Sequence, residues 1–111
     1  MDQARRLPAW AQGIRALEVL GMVHARRGHH DLARAAYQEG LDRARAMPFP
    51  YGQARLLHAY GLLDRQQQDH AAAHAKFAQA LAILERLGAD NDAGRLRQAI
   101  AHTPPSENPP Y

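Results

Sequence analysis

The side chains in this 111-residue sequence with the clearest capacity for ligand chemistry are its seven histidines. His29 and His30 are adjacent, while His70 and His74 are spaced by one helical turn. Two imidazoles at the latter spacing can share a metal ion. However, no cysteine accompanies them, and His30 and His70 stand at predicted helix starts, where packing or capping is the simpler interpretation. We therefore predict neither a metal site nor a cofactor.

Arginine supplies most of the positive charge, because 13 of the 14 basic residues are arginine, against 11 carboxylates. Arg15, Arg55 and Arg95 recur at intervals of 40 residues. A guanidinium fork recognises carboxylate or phosphate groups, so an acidic peptide is one predicted ligand. The net charge of +3 adds a weak bias toward acidic partners. The alternative, that these arginines are simply solvated on a helical face, stays open.

Known catalytic motifs are missing from the sequence, which has no nucleophile elbow, no phosphate-binding glycine loop and no His-Glu-x-x-His pair. Thr103 and Ser106 carry the only alcohol side chains besides the tyrosines, and both lie in a predicted tail. Asp64, Asp69 and Glu85 are predicted to lie on a solvated face or at a helix cap rather than to act as a general acid or base. We predict that the chain is not an enzyme.

Composition also indicates the cellular compartment of the protein. The sequence contains no cysteine, which fits a reducing compartment, and we predict a cytoplasmic location. No stretch approaches the roughly 18 apolar residues of a membrane span, and no apolar stretch follows the first charged residues as in a signal peptide. At this length we expect one domain with a modest core.

The residues that position these side chains repeat along the chain with a shift of 40. A fixed period of 20 to 50 residues is typical of stacked helical hairpins, in which each hairpin needs a neighbour to bury its apolar face. The matched pairs are Leu17 and Leu57, Gly21 and Gly61, His30 and His70, Ala33 and Ala73, Ala35 and Ala75, Tyr37 and Phe77, and Leu41 and Leu81.

Glycine and proline divide the chain into five predicted helices. The predicted domain covers 1–102 and is followed by an extended proline-rich tail at 103–111. Its parts are a hairpin at about 8–47, a second hairpin at about 50–87 and an extra helix at about 91–102. The fold class predicted from this pattern is all-α.

Caps and core positions follow from residue types. Asp69 is predicted to cap the fourth helix, and Gly88 is predicted to end it. The predicted candidate caps of the fifth helix are Asp90, Asn91 and Asp92. The predicted core positions are Trp10, Ile14, Leu17, Gly21, Ala33, Tyr37, Gly40, Leu41, Ala44, Ala54, Leu57, Tyr60, Gly61, Ala73, Phe77, Ala80, Leu81, Leu84, Leu96, Ala99 and Ile100.

Both copies of the repeat carry a small residue on the first helix, a small residue on the second helix and an aromatic residue four positions later. The first copy reads Leu20-Gly21, Gly28, Ala33, Tyr37, Gly40 and Leu41, and the second reads Gly61, Asp69, Ala73, Phe77, Ala80 and Leu81. This pattern resembles the tetratricopeptide repeat, although the period is six residues longer than the usual one of about 34. The resemblance implies stacked antiparallel helical hairpins in a right-handed α-solenoid that serves as a protein-protein interaction scaffold. The string Leu87-Gly88-Ala89 resembles the arrays of bacterial signalling ATPases and transcriptional regulators.

In this family the concave surface is lined by the first helix of each pair, and the resemblance carries that geometry onto this chain. The lysine and asparagine pairs of the clamp that binds a carboxy-terminal carboxylate are replaced here by Glu18, Met22 and His58, so a chaperone-tail partner is not expected. The groove residues implied are Arg15, Glu18, Met22, Arg26, Arg55, His58, Leu62, Arg65 and Arg95.

The same shift leads to an expectation about the ends of the chain. Asp2, Ala4, Arg5 and Pro8 match residues near the end of the second helix, namely Asp42, Ala44, Arg45 and Pro48. We therefore expect a fragment of a longer array, with coincidence in an arginine-rich and alanine-rich sequence as the alternative. An incomplete face at Leu7 and Trp10 would then favour concentration-dependent self-association.

Nucleic-acid binding is the alternative from a different functional class, because the sequence pI is about 9.8 and the helices are rich in arginine. Against it, basic residues alternate with carboxylates, as in Asp42-Arg43 and Asp64-Arg65. We rank an arginine-rich nucleic-acid-binding module below a protein-binding scaffold.

Overall fold

The computed structural model describes residues 7–105, which fold into five α-helices without a strand among them. The predicted all-α class is confirmed, and the predicted ends of both hairpins and of the extra helix lie within one residue of the observed helix ends. The helices are α1 (Ala9–Arg26), α2 (His30–Ala46), α3 (Pro50–Gln66), α4 (His70–Leu87) and α5 (Asp90–Ala101).

The helix ends follow the chemistry of the residues at the turns. Pro50 occupies the first turn of α3, where a missing N–H costs nothing. The side chain of Asp69 accepts a hydrogen bond from the Ala72 N–H at 3.2 Å, so the predicted cap is confirmed. Gly88 ends α4 with φ of 71°, in the left-handed region that glycine enters without steric cost.

The predicted cap of α5 is wrong. The residue before this helix is Ala89, and no side chain caps it. Asp90 and Asp92 lie inside the first turn instead, where a carboxylate meets the positive end of the helix dipole.

The two hairpins, α1 with α2 and α3 with α4, are each closed by an aromatic ring lying over a glycine. A Cβ atom added at Gly21 would lie 2.4 Å from the Tyr37 ring, and one added at Gly61 would lie 2.5 Å from the Phe77 ring. Tyr37 and Phe77 are buried, as predicted, and burial raises the pKa of Tyr37 to about 12, with a smaller contribution from the Glu18 carboxylate. The two glycines therefore provide space for a ring, which accounts for their presence inside helices.

The hairpins stack because each second helix packs on the next first helix. α2 lies against α3, α4 lies against α5, and α1 also contacts α3. The core contains the predicted positions of α2 and α3, and in addition Leu56 and Leu63, which were not predicted. α3 is thus buried on two faces, whereas a single apolar stripe was expected. The prediction that Trp10 is a core position is wrong, because its side chain is 41% exposed.

The segment after α5 turns back onto the helices. Thr103 is buried, and its hydroxyl donates a hydrogen bond of 2.7 Å to the Ala99 carbonyl. The predicted tail therefore begins with a packed residue. Residues 106–111, and the matches at Asp2, Ala4 and Arg5, lie outside the described residues.

Within 7–105, no helix combines the length and the apolar character that crossing a membrane requires.

Candidate functional site

A cavity of about 230 Å³ opens between α1, α3 and α5, with α4 contributing to its floor. It collects six of the nine predicted groove residues. Its lining residues are Glu18, Met22, Ala54, Arg55, His58, Ala59, Leu62, Leu84, Asp92 and Arg95. The first helices of successive pairs therefore share one concave surface.

The remaining three predicted groove residues lie around this cavity. Arg15 is half exposed, with its Nε atom 3.8 Å from a Glu18 oxygen. Arg26 lines a smaller depression of about 150 Å³. Arg65 donates to the Ala99 carbonyl and the Thr103 hydroxyl, both at 3.4 Å, so its guanidinium faces the end of α5.

The three arginines spaced by 40 residues are each paired with a carboxylate. Arg55 donates to both oxygens of Glu18, at 3.1 Å and 2.9 Å, in the fork geometry that makes such pairs strong. Arg15 approaches the same carboxylate, and Arg95 pairs with Asp92. The three arginines thus lie in ion pairs with Glu18 and Asp92.

A chain of polar contacts crosses the groove from α1 to α5. The guanidinium of Arg55 lies 6.0 Å from the centre of the Tyr51 ring. The Tyr51 hydroxyl donates to Asp92 at 2.7 Å, and Asp92 pairs with Arg95. Sequence reasoning missed Tyr51 and Asp92. The four-residue spacing of Tyr51 and Arg55, which places both on one face of α3, was the available signal.

His58 lies at the centre of this surface and is mostly buried. Its ring meets Phe77 edge to face, with 5.9 Å between ring centres. Burial lowers the pKa of His58, and the positive charges of Arg55, Arg95 and Arg65 lower it further, against a smaller opposing effect of Glu18. A neutral imidazole is therefore favoured, and it can both donate and accept a hydrogen bond.

A second group of charges is buried between the hairpins. Asp64 is 1% exposed, and its two oxygens accept hydrogen bonds from Arg34 at 3.0 Å and Lys76 at 2.6 Å. Both cations also lie over the Tyr60 ring, at 5.5 Å and 4.3 Å from its centre. The prediction that Asp64 lies on a solvated face or at a cap is wrong.

The buried position of Asp64 could have been predicted from the sequence. It stands three and seven residues after Gly61 and Leu57, on the same helical stripe. Lys76, its partner, is also the only lysine in the sequence. Both oxygens of Asp64 accept a hydrogen bond, and the cluster joins α2, α3 and α4.

The histidines are dispersed. The Nδ1 atom of His24 and the Nε2 atom of His30 are buried without a hydrogen-bond partner. Of the two predicted roles of His30, this environment fits packing. His74 is half-buried, and its Nε2 atom lies 2.8 Å from the Pro104 carbonyl. Among residues 7–105, histidine and carboxylate side chains nowhere gather in threes around a point that could hold a metal ion.

The architecture agrees with one known family. A family model described as tetratricopeptide repeat matches residues 14–86, which is more than half of the chain and covers most of both hairpins. No curated protein and no solved structure matches the chain. The matched range contains both glycine–aromatic contacts and all groove residues except Arg95. The chain therefore belongs to the tetratricopeptide repeat family.

Proposed function

We propose that the chain is a cytoplasmic, non-catalytic scaffold that binds a segment of a partner protein in the groove between α1, α3 and α5. The observation that carries the proposal is the cavity, whose apolar floor of Met22, Ala59, Leu62 and Leu84 is framed by paired charges. An apolar side chain of the partner fits this floor. The backbone of the partner segment, and the polar groups beside its apolar side chain, would contact the paired charged residues around this floor.

The size of the cavity favours a peptide over a cofactor. Sites for small molecules usually measure about 300 to 1,000 Å³. A cavity of about 230 Å³ suits one side chain anchored from a longer segment. The groove therefore supports protein recognition by a single apolar anchor with contacts on both sides.

The charge of the groove favours acidic residues beside that anchor. Arg55 and Arg95 line the cavity together with two carboxylates, Glu18 and Asp92. Positive charge is in excess around it because Arg15, Arg26 and Arg65 lie nearby. Pairing leaves donors available, because a guanidinium has five N–H groups and Arg55 uses two of them on Glu18. Arg15 and Arg95, whose side chains are 50% and 63% exposed, are the donors most accessible to a partner carboxylate.

We further propose that these repeats serve a bacterial regulatory protein. Its support is the Leu87-Gly88-Ala89 string before α5, which resembles the arrays of bacterial signalling ATPases and transcriptional regulators. No cofactor enters this proposal.

The experiment is selection of a displayed library of random twelve-residue peptides on the intact chain. We expect enrichment of sequences with one large apolar residue flanked by aspartate or glutamate. Fluorescence polarisation with a labelled selected peptide should then show at least tenfold weaker binding to Met22→Glu and to Arg95→Glu.

Two controls match the charge changes outside the groove. Leu32→Glu places the same acid on an exposed apolar residue of α2, and Arg86→Glu reverses an exposed arginine of α4. Both should bind the peptide as the wild type does. Equal losses in groove and control variants, or no enrichment at all, would overturn the proposal.

The alternative of nucleic-acid binding is tested with a labelled single-stranded oligonucleotide in the same instrument. The pairing of Arg34, Arg55 and Lys76 with carboxylates supports protein rather than phosphate recognition. Tight binding at low salt with a steep salt dependence would favour the alternative.

A further inference from the structure

α1 carries an apolar stripe that no other element of the described chain covers. Val19, Leu20 and Val23 are 53%, 46% and 38% exposed, and Ala16 is exposed beside them. The spacing of 16, 19, 20 and 23 places all four on one face of the helix. This face lies away from the groove, because Glu18 and Met22 project toward α3.

The repeat shows what such a face does elsewhere in the molecule. Forty residues later the same positions are Leu56, Ala59, Tyr60 and Leu63, and three of these are at most 7% exposed. α2 covers them: Tyr37 lies 5.8 Å from Tyr60, and Gly40 lies against Leu56. The outer face of α1 is thus a helix-packing face without its helix.

The opposite end of the stack is different. In α3, Leu57 and Gly61 form the face buried against α4. Their counterparts in α5 are Arg97, which pairs with Glu85, and the exposed Ala101. Terminal helices of a repeat array need a polar outer face to remain soluble. α5 has one, and α1 does not.

We propose that a second copy of this chain covers the stripe, with the two α1 helices packed antiparallel about a twofold axis. A head-to-tail stack would instead need an exposed face on α4, equivalent to the face of α2 that packs on α3. The equivalent face of α4 is already occupied by α5, whose Ala93 and Leu96 are buried. Self-pairing is the arrangement that uses only surfaces which the rest of residues 7–105 leaves uncovered, and a twofold contact closes after two copies.

The residues of the stripe fit an antiparallel pair. With the axis near residue 18, the small Ala16 of one copy lies opposite the larger Leu20 of the other. Arg26 and Arg27 follow the stripe at the carboxyl end of α1. An antiparallel pair places these arginines at opposite ends of the contact, whereas a parallel pair would bring them together.

The area available sets the expected strength. An α-helix of 18 residues is about 27 Å long, and one face of it gives an interface at the lower end of the specific range. The dimer should therefore dissociate on dilution. Self-association was expected at Leu7 and Trp10, and that expectation stays a prediction. Trp10 is 41% exposed and packs edge to face on Phe49, with 5.4 Å between ring centres. The stripe proposed here lies further along α1.

Sedimentation equilibrium between about 5 and 500 µM tests the proposal on the intact chain. The wild type should pass from monomer to dimer, and Leu20→Glu should weaken the association at least tenfold. Leu32→Glu, at a leucine of α2 that is 54% exposed, should associate as the wild type does. Val19→Glu repeats the test if Leu20→Glu changes the circular-dichroism melting curve.

Crosslinking tests the orientation, since the sequence has no cysteine. When the Gln12→Cys and Val23→Cys chains are mixed and oxidised, the antiparallel pair predicts mixed dimers in preference to either homodimer. A monomer at every concentration, unchanged association of Leu20→Glu and Val19→Glu, larger oligomers, or a preference for homodimers would overturn the proposal. Peptide binding in the groove is measured separately on another face, so failure here leaves that proposal standing.

Discussion

The two hairpins of this molecule are built on the same internal contact but have different surroundings. Gly21 lies under Tyr37 in the first hairpin, and Gly61 lies under Phe77 in the second. The second hairpin is packed between α2 and α5, whereas among the described helices the first has a neighbour on one side only. The same glycine–aromatic contact should therefore stabilise the two hairpins to different extents.

The hairpins also differ in the polar side chains at the matched positions 24 and 64. His24 has a buried nitrogen without a partner, while Asp64, forty residues later, has both oxygens bonded. Unpaired polar groups cost free energy, and paired ones specify an arrangement. The comparison shows that the period preserves apolar packing, whereas charge is placed where two hairpins meet.

The largest expected effect is the loss of an aromatic ring. Phe77→Ala should lower the free energy of unfolding by about 3 to 5 kcal/mol, because the ring is fully buried. Tyr37→Ala should cost less, since the first hairpin can relax toward its uncovered side. Urea denaturation of both variants measures the difference, and equal losses would break the comparison.

Removing the buried carboxylate comes next. Asp64→Ala leaves Arg34 and Lys76 without their partner and should cost about 3 kcal/mol, the lower end for a broken buried pair, because both cations retain some exposure. His24→Leu should be nearly neutral or stabilising, since it removes an unsatisfied nitrogen. A stabilised Asp64→Ala variant in urea denaturation would contradict this assignment.

The glycine contact gives the third prediction. Gly61→Ala should destabilise by about 1 to 3 kcal/mol despite the better helix propensity of alanine, because the added Cβ meets the Phe77 ring. Gly61→Leu should be worse. Combining Gly61→Ala with Phe77→Leu should recover part of the loss in thermal melts, whereas simple additivity would show that the two residues are uncoupled.

The smallest effect is the response of stability to mild acid. The pKa of His58 is lowered in the folded chain, first by burial and then by the surrounding arginines, so the unfolded chain takes up a proton at higher pH. This contribution to stability is complete above the unfolded pKa of about 6.5 and is lost as the pH falls below it. His58→Gln should therefore flatten the pH dependence of the melting temperature between pH 7.5 and 5.

The exposed His29 provides the control for this measurement, because His29→Gln makes the same substitution outside the groove. The other histidines are common to all three chains, so the difference between the two variants isolates His58. Identical slopes for His58→Gln and the wild type would contradict the prediction.

The elements and the hairpin contacts were predictable because they depend on local chemistry that the sequence repeats. Prolines, glycines and Asp69 set the helix ends, and the recurrence of Gly21 with Tyr37 as Gly61 with Phe77 identified the pairing. Six of the nine expected groove residues also line the central cavity.

What was missed depends on contacts between hairpins. α3 is buried on two faces, so Leu56 and Leu63 lie outside any single apolar stripe. The Glu18 carboxylate on α1 binds Arg55 on α3, and the Tyr51 hydroxyl on α3 binds Asp92 on α5. These contacts depend on how α1, α3 and α5 come together, which the spacing within one helix does not encode. The Asp92–Arg95 pair lies within α5 at three-residue spacing, so the sequence carried a signal for it.

The single lysine of the sequence has a practical consequence. The nitrogen of Lys76 is held by Asp64 and lies against Tyr60, so an acylating reagent should modify it slowly in the native state. Separation of α4 from α3 releases this amine. Pulse labelling followed by mass spectrometry would therefore report the opening of the second hairpin from one atom, without an introduced probe.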